Sequence, residues 1–204
     1  MYFDQLASKE TMEKVKAALE KNGITVILAE NGAEAKAKIL ELVPKGSEVM
    51  DMTSISLQTI GVAEEINTSG NYNAVRAKLN DPGTPPREKK RLGAAPEYAL
   101  GSVHAVTEDG KVFVASNTGS QLGAYAYGAD HVIWVVGGQK IVPDEEMAKK
   151  RIWEYVLPLE SARARKAYNQ PDTFNSFPSK ILNFNREVNK DRITIILVKE
   201  ALGF

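Results

Sequence analysis

The alternation of helical and strand patterns in the first fifty residues most constrains the fold. Residues 9–22 carry apolar side chains at helical spacing and end at an Asn-Gly pair, which favours a helix stop. A strand pattern follows at 24–29, a helix pattern after Asn31-Gly32, and a second strand pattern at 47–52. This order predicts an α/β fold with a mostly parallel central sheet.

The later strands fit the same sheet. HVIWVVGG, from residue 131, is a continuous apolar run typical of a strand buried on both faces, and RITIILV (192–198) predicts the last strand. Residues 101–116 predict two β segments around an Asp-Gly turn, and Pro143-Asp144 predicts the start of a helix. Residues 1–204 are therefore expected to form one domain.

Two segments lack these patterns. Residues 66–100 are polar and rich in proline, glycine and charge, which predicts helices in an irregular excursion that serves as a lid or a partner surface. Within them, REKKR (87–91) is a basic run that predicts a solvated helix face. Residues 169–191 are expected to be rich in loops.

Charge and cysteine content exclude several functions. Lys plus Arg (26) balances Asp plus Glu (26), so the basic surface that nucleic acids require is not expected. The chain has no cysteine, which excludes disulfides, thiolate nucleophiles, cysteine-ligated metals and an iron–sulfur cluster within it. Any redox centre must belong to a partner or to a bound cofactor, whose identity stays unknown. No apolar run predicts a membrane span, and a cytoplasmic protein is expected.

Two hydroxyl-rich loops are the candidate ligand site. Asn117, Thr118, Gly119 and Ser120 lie between an apolar strand and a small-residue segment, where backbone N–H groups at a helix start would favour phosphate or carboxylate oxygens. The TSIS loop, with Thr53, Ser54 and Ser56, follows another strand, and ligands bind where such strand ends meet. Plain helix capping is the alternative for both loops.

Titratable residues near these loops are the candidate catalytic groups. Glu108 lies at the turn beside the glycine-rich segment, so it is a candidate general base or substrate orienter, or simply an exposed turn carboxylate. His104 is a second candidate because a histidine titrates near neutral pH, although a hydrogen-bonded strand histidine is an equal alternative. His131 favours a structural role, and two histidines predict no metal site.

The block HAVTEDGKVFVASNTGSQLGAYAYGADHVIWVVGGQKIV, from residue 104, resembles the central block of LUD-domain (lactate utilisation) proteins. The family pattern is an N-A-I-T-E-D-G turn, a T-G-N-R loop, an apolar strand and then N-K-I-V. TSISLQTIG is similar to the family's serine-containing loop, and RITIILVKEALGF is similar to its closing strand. The resemblance covers nearly the whole chain.

This resemblance implies the α/β fold shared with sugar-phosphate isomerases, glucosamine-phosphate deaminases and CoA transferases. It also implies a role as a subunit of an L-lactate-oxidising system, with iron–sulfur oxidoreductase partners. Lys140 matches the lysine of N-K-I-V, which implies a point charge for a carboxylate or phosphate; a surface lysine is the alternative. The counterpart of Glu108 in the family is also acidic.

Three features depart from the family pattern, and the last makes this chain a cysteine-free variant. His104 stands where the family usually has asparagine, and Ser120-Gln121 stand where it has Asn-Arg, which removes a bidentate clamp for a carboxylate. The four-cysteine segment of many relatives has no counterpart in residues 169–191.

Three functions follow as hypotheses. The first is a protein that binds a small carboxylate or phosphorylated metabolite, as a lactate-oxidising subunit. The second is a standalone isomerase or acyl/CoA-transferase with Glu108 as base or nucleophile. The third is a non-catalytic ligand-binding or assembly subunit, and a homo-oligomer is compatible with each.

Overall fold

A six-stranded parallel sheet forms the centre of the computed structural model, which describes residues 3–204. With strands numbered along the chain, its spatial order is β1 (Thr25–Ala29), β10 (Ile193–Val198), β7 (His131–Gly137), β4 (Tyr98–Gly101), β2 (Glu48–Asp51) and β3 (Asn73–Ala74). Parallel strands all end at the same edge of a sheet, so the loops after them converge there.

A second, smaller sheet packs against the first. Its order is β8 (Ile141–Val142), β5 (Ala105–Thr107), β6 (Val112–Ser116) and β9 (Lys180–Phe184). Strands β5 and β6 form an antiparallel hairpin across the predicted Asp-Gly turn, where Gly110 has a φ of 80°.

In the described residues, eight α-helices connect and cover the sheets: α1 (Lys9–Lys21), α2 (Gly32–Leu42), α3 (Ile55–Thr59), α4 (Val62–Thr68), α5 (Val75–Asn80), α6 (Pro86–Ala94), α7 (Glu145–Arg151) and α8 (Leu157–Ala167). A π-helical turn, Ile152–Val156, joins α7 and α8 into one continuous helix. Side chains of Ser8, Asn31 and Asp144 accept hydrogen bonds from the first turns of α1, α2 and α7, which fixes where these helices begin. Within the described residues no helix has the length and apolarity needed to cross a membrane.

The side chains of β7 alternate between two cores, as a central strand requires. Val132, Trp134 and Val136 pack with α1 and the small sheet, whereas Ile133 and Val135 pack with α2, α3 and α4. A third core lies between the small sheet and the α7–α8 helix. The molecule therefore has successive layers, and burial of each large apolar side chain contributes about 1.5–3 kcal/mol.

Most predicted elements are confirmed, with three differences. Tyr98–Gly101, placed at the end of the irregular excursion, is a fully buried strand whose four residues are too few to show a period. Lys180–Phe184 lies in the segment expected to be rich in loops, but it forms the half-exposed edge strand β9. The segment after the 117–120 loop forms only a π-helical turn, Ala124–Gly128, and no regular α-helix.

Candidate functional site

A cavity of about 920 Å³ opens at the carboxyl edge of the central sheet. Segments that follow three strands line this cavity: Thr53 and Ser54 after β2, Ser102 to His104 after β4, and Lys140 shortly after β7. Helices α6 and α8 and the 117–121 loop complete the wall. Both predicted hydroxyl-rich loops thus lie on the same cavity.

Lys140 is a buried cation on this wall, with only 2% of its surface exposed. Its Nζ donates hydrogen bonds to Ser56 Oγ at 3.2 Å, Ser102 Oγ at 3.0 Å and the carbonyl of Val103 at 3.1 Å. Within residues 3–204, no carboxylate forms an ion pair with it. Burial, and secondarily the charge of Arg151, lower the pKa of Lys140 to about 7.

The two serines are held so that their lone pairs face the ammonium group. The hydroxyl of Ser56 donates to the carbonyl of Leu202 at 3.0 Å, and that of Ser102 donates to the carbonyl of Val135 at 2.7 Å. Each oxygen therefore remains an acceptor for Lys140. Ser56 is buried behind Lys140, and Ser54 caps α3 by accepting from the N–H of Leu57 at 3.3 Å.

His104 presents a neutral imidazole to the cavity. Its Nδ1 accepts a hydrogen bond from the N–H of Ala115 at 3.0 Å, so the proton of the neutral ring is on Nε2. Burial, followed by the charges of Lys140 and Arg151, lowers the pKa of His104 to about 3. The ring stays uncharged at neutral pH and serves as a hydrogen-bond donor, and no residue in 3–204 accepts from Nε2.

Arg151 is a second buried cation, placed behind His104. Its Nη1 donates to the carbonyl of His104 at 2.5 Å, and its guanidinium carbon lies 5.1 Å from the centroid of the Tyr155 ring. Its Nε has no hydrogen-bond partner in the described chain. Burial lowers the pKa of Arg151 to about 10. Two cations thus lie beside His104, and no carboxylate of the described chain pairs with either.

Two backbone N–H groups of the 117–120 loop are used within the loop and its flanking residue. The N–H of Gly119 donates to Ser116 Oγ at 2.9 Å and that of Ser120 donates to Thr118 Oγ1 at 3.3 Å, so both backbone groups are already occupied. The loop is followed by a short helical segment at 122–128 that is mostly π-helical, and an anion site at its start stays a prediction. The hydroxyls and the Asn117 amide line the cavity and are further donors.

Gly119 is needed for its backbone conformation. Its φ of 87° lies in the left-handed region, and an added Cβ would lie 2.8 Å from Cδ of Lys180. The Lys180 side chain lies beside Gly119, which also lines the cavity, and the approach of a ligand to this glycine stays a prediction.

The sequence model of the LUD-domain protein family matches residues 12–198 of the chain. The chain belongs to the LUD-domain family. A solved structure similar to this LUD domain is that of a DUF162 family protein from Deinococcus radiodurans, with 13% identity and a TM-score of 0.56. The likeness covers 95% of this chain and 99% of that one, and it shows a shared fold. A comparison with curated protein sequences gives no match.

Glu108 lies outside the cavity of this LUD domain. Its carboxylate pairs with Lys14 of α1 at 2.6 Å, and its N–H donates to the carbonyl of Val142 at 3.0 Å. The turn at residues 108–110 thus ties the small sheet to α1. His131 lies at the opposite edge of the sheet, at the start of β7, where its ring stacks on that of Tyr98 with centroids 4.7 Å apart.

Sequence reasoning missed the residues that hold this LUD-domain site together. The amide nitrogen of Gln139 donates to the carbonyls of Leu202 and Gly203, both at 3.1 Å, and its Oε1 accepts from the N–H of Leu202 at 3.3 Å. Residues 199–204 are thereby fixed across the sheet edge, and Phe204 lines the cavity. The Gly137-Gly138 pair was the available signal, because paired glycines after a buried strand indicate a close approach of backbone.

Proposed function

We propose that this LUD domain binds a small organic carboxylate or a phosphorylated metabolite in the cavity at the carboxyl edge of its sheet. The observation that carries the proposal is Lys140, a cation buried among neutral acceptors on the cavity wall. A buried charge without a counter-charge is costly, and an anionic ligand beside it supplies that counter-charge.

The neighbouring groups support the same ligand chemistry. The Nε2–H of His104 and the hydroxyls of Thr53, Thr118 and Ser120 are hydrogen-bond donors on the cavity wall, and donors select ligand oxygens. Because the pKa of Lys140 is about 7 in the free protein, an anion bound beside it raises that pKa and draws a proton onto the amine. Binding at pH 8 is therefore expected to take up protons.

The fuller proposal is that the domain is a subunit of a cytoplasmic system that oxidises lactate to pyruvate. It is supported by the family membership. Because these 204 residues contain no cysteine, any iron–sulfur centre of such a system would be held outside them, and a non-redox role is the alternative. A standalone isomerase or acyl transferase acting through Glu108 is the weaker candidate, because Glu108 is ion-paired outside the cavity.

Calorimetric titration with lactate, pyruvate and sugar phosphates tests the binding proposal. The wild type, Lys140→Met and Lys14→Met are compared, the last being a control that removes an exposed lysine outside the cavity. We expect at least one anion to bind the wild type and the control equally and to bind Lys140→Met at least tenfold more weakly. Equal binding to all three proteins, or no binding by the wild type, would contradict the proposal.

A further inference from the structure

The size and charge of the cavity indicate a ligand larger than a simple acid. Its volume of about 920 Å³ is near the upper end of the roughly 300–1,000 Å³ found for sites that enclose drug-sized ligands. A three-carbon acid beside Lys140 would leave most of this space to water. The side chains that line the cavity away from Lys140 therefore indicate the chemistry of the rest of the ligand.

The basic side chains on the wall fall into two groups. Arg76 and Arg163 are neutralised: Arg76 Nε contacts both carboxylate oxygens of Asp51 at 3.1 and 3.2 Å, and Arg163 makes two bonds to Glu160 at 2.6 and 2.7 Å. The other group is Lys140, Lys89 and Lys90. None of these three lysines forms an ion pair with any residue in 3–204.

Lys89 and Lys90 belong to a separate wall from Lys140. They lie on α6, a helix without a buried residue. The last residue of α6, Ala94, is close to Gly123: a Cβ built on Gly123 would lie 3.6 Å from the Cβ of Ala94. Gly123 closely follows the 117–120 loop, so the α6 lysines and the hydroxyls of that loop belong to adjoining parts of the wall. Paired lysines beside hydroxyl donors are a suitable environment for phosphate oxygens.

An apolar surface is available for the body of such a ligand. Leu79, Ile152, Val156, Phe174 and Phe177 line the same cavity. Ligand sites commonly combine an apolar wall with a few polar groups that fix orientation.

We propose that the ligand is an organic acid at least as large as a nucleotide that carries a phosphate or diphosphate group at its far end. Lys89, Lys90 and the hydroxyls of the 117–120 loop bind the phosphate, and Lys140 with His104 binds the carboxylate. This inference rests on the proposed function, because it assumes that the cavity is the ligand site and that Lys140 receives an anion.

Three probes separate the two ends: lactate carries a carboxylate and no phosphate, ADP carries a diphosphate and no carboxylate, and succinyl-CoA carries both groups. Their dissociation constants are measured with the wild type, Lys89→Gln/Lys90→Gln, Lys140→Met and the control Arg87→Gln/Arg91→Gln. The control changes two exposed basic residues of the same helix that do not line this cavity. A circular dichroism spectrum confirms that each variant folds.

We expect succinyl-CoA to bind the wild type at least tenfold more tightly than lactate or ADP. Lys89→Gln/Lys90→Gln should weaken ADP and succinyl-CoA at least tenfold and leave lactate within threefold, and it should reduce the salt dependence of succinyl-CoA binding. Lys140→Met should weaken lactate and succinyl-CoA and leave ADP within threefold. The arginine control should bind all three probes as the wild type does.

The failures of the two proposals differ. If lactate binds through Lys140 while ADP and succinyl-CoA bind no more tightly than lactate, or are unaffected by the α6 lysine changes, the elongated ligand is overturned and the anion site stands. Equal weakening by the arginine control also overturns it, since that result indicates general attraction to a basic helix. If no probe binds the wild type, both proposals fail.

Discussion

The ammonium group of Lys140 donates a hydrogen bond to the hydroxyl of Ser56 at 3.2 Å, across 84 residues of chain. This contact joins the end of β7 to the start of α3 with a charge that no carboxylate of residues 3–204 balances. The fold thus holds an amine whose charged form is unfavourable at the edge where ligands bind in parallel α/β sheets. Such a site lowers the free energy of unfolding and favours the binding of an anion.

Replacement of Lys140 by methionine should make stability less dependent on pH between about 7 and 10.5. The pKa of Lys140 falls from 10.5 to about 7 on folding, so in this range the unfolded chain holds a proton that the folded protein lacks, and the wild type gains stability as pH rises. Below pH 7 the penalty is constant. Urea unfolding at pH 7, 8, 9 and 10 measures the effect, with Lys14→Met as control. Parallel pH profiles for wild type and Lys140→Met would disprove the interpretation.

His104 should stay neutral, with its proton on Nε2, down to about pH 4. The N–H of Ala115 occupies Nδ1, and burial with two nearby cations lowers the pKa of His104 to about 3. Nitrogen-15 NMR of the imidazole rings reads the tautomer directly, and His131→Gln assigns the signals because the chain has two histidines. A His104 ring that becomes protonated near pH 6 would contradict this prediction.

The same lowered pKa predicts acid sensitivity. Between pH 6.5 and about 3 the unfolded chain takes up a proton at His104 that the folded protein does not, so stability falls as the pH falls through this window. His104→Asn removes this component, and its unfolding free energy should decline less steeply from pH 6.5 to 4 than that of the wild type. An equally steep decline in both proteins would exclude His104 as the cause.

Glu108→Gln should leave ligand binding unchanged. The carboxylate pairs with Lys14 at 2.6 Å on a half-exposed surface, and such pairs contribute less than about 1 kcal/mol. Thermal unfolding and the calorimetric titration described above are the measurements. A tenfold loss of binding with unchanged stability would instead restore Glu108 as a site residue.

Gly137→Ala should destabilise the protein by about 1–3 kcal/mol, whereas Gly138→Ala should be tolerated. A Cβ on Gly137 would lie 2.2 Å from Gln139 Oε1 and 2.6 Å from the N–H nitrogen of Leu202, but the nearest atom to a Cβ on Gly138 is 3.4 Å away. Denaturant unfolding of the two neighbouring variants gives the difference. Equal stability would show that the 199–204 segment moves freely away from the sheet edge.

Local patterns were enough to predict the sheet and to bring the two hydroxyl-rich loops together. Strand–loop–helix order fixes which strand ends share an edge, so Thr53 and Thr118 could be assigned to one cavity before any contact was known. The family resemblance identified Lys140 as a candidate ligand-binding residue, but it did not predict that the side chain is buried. A lysine that closely follows two glycines belongs to no periodic pattern from which burial can be predicted.

The remaining site residues depend on long-range contacts. Arg151 contacts His104 across 47 residues, and Gln139 contacts Leu202 across 63. A single arginine within a helix is most often solvated, so sequence alone favours the surface for Arg151. The short strand β4 was missed because its four buried residues follow a polar segment and show no alternation.

The position of β10 between β1 and β7 has a consequence for synthesis of the chain. Thr25 pairs with Thr194, and Ile133 pairs with the same residue from the other side. Until the ribosome has added residues 193–198, β1 has no neighbour in the sheet, and Phe204 of the cavity wall is added later still. Nascent chains are therefore expected to leave β1 unpaired, and the edge of β7 exposed once it is made, until β10 is added, and to become able to bind ligand only after that step.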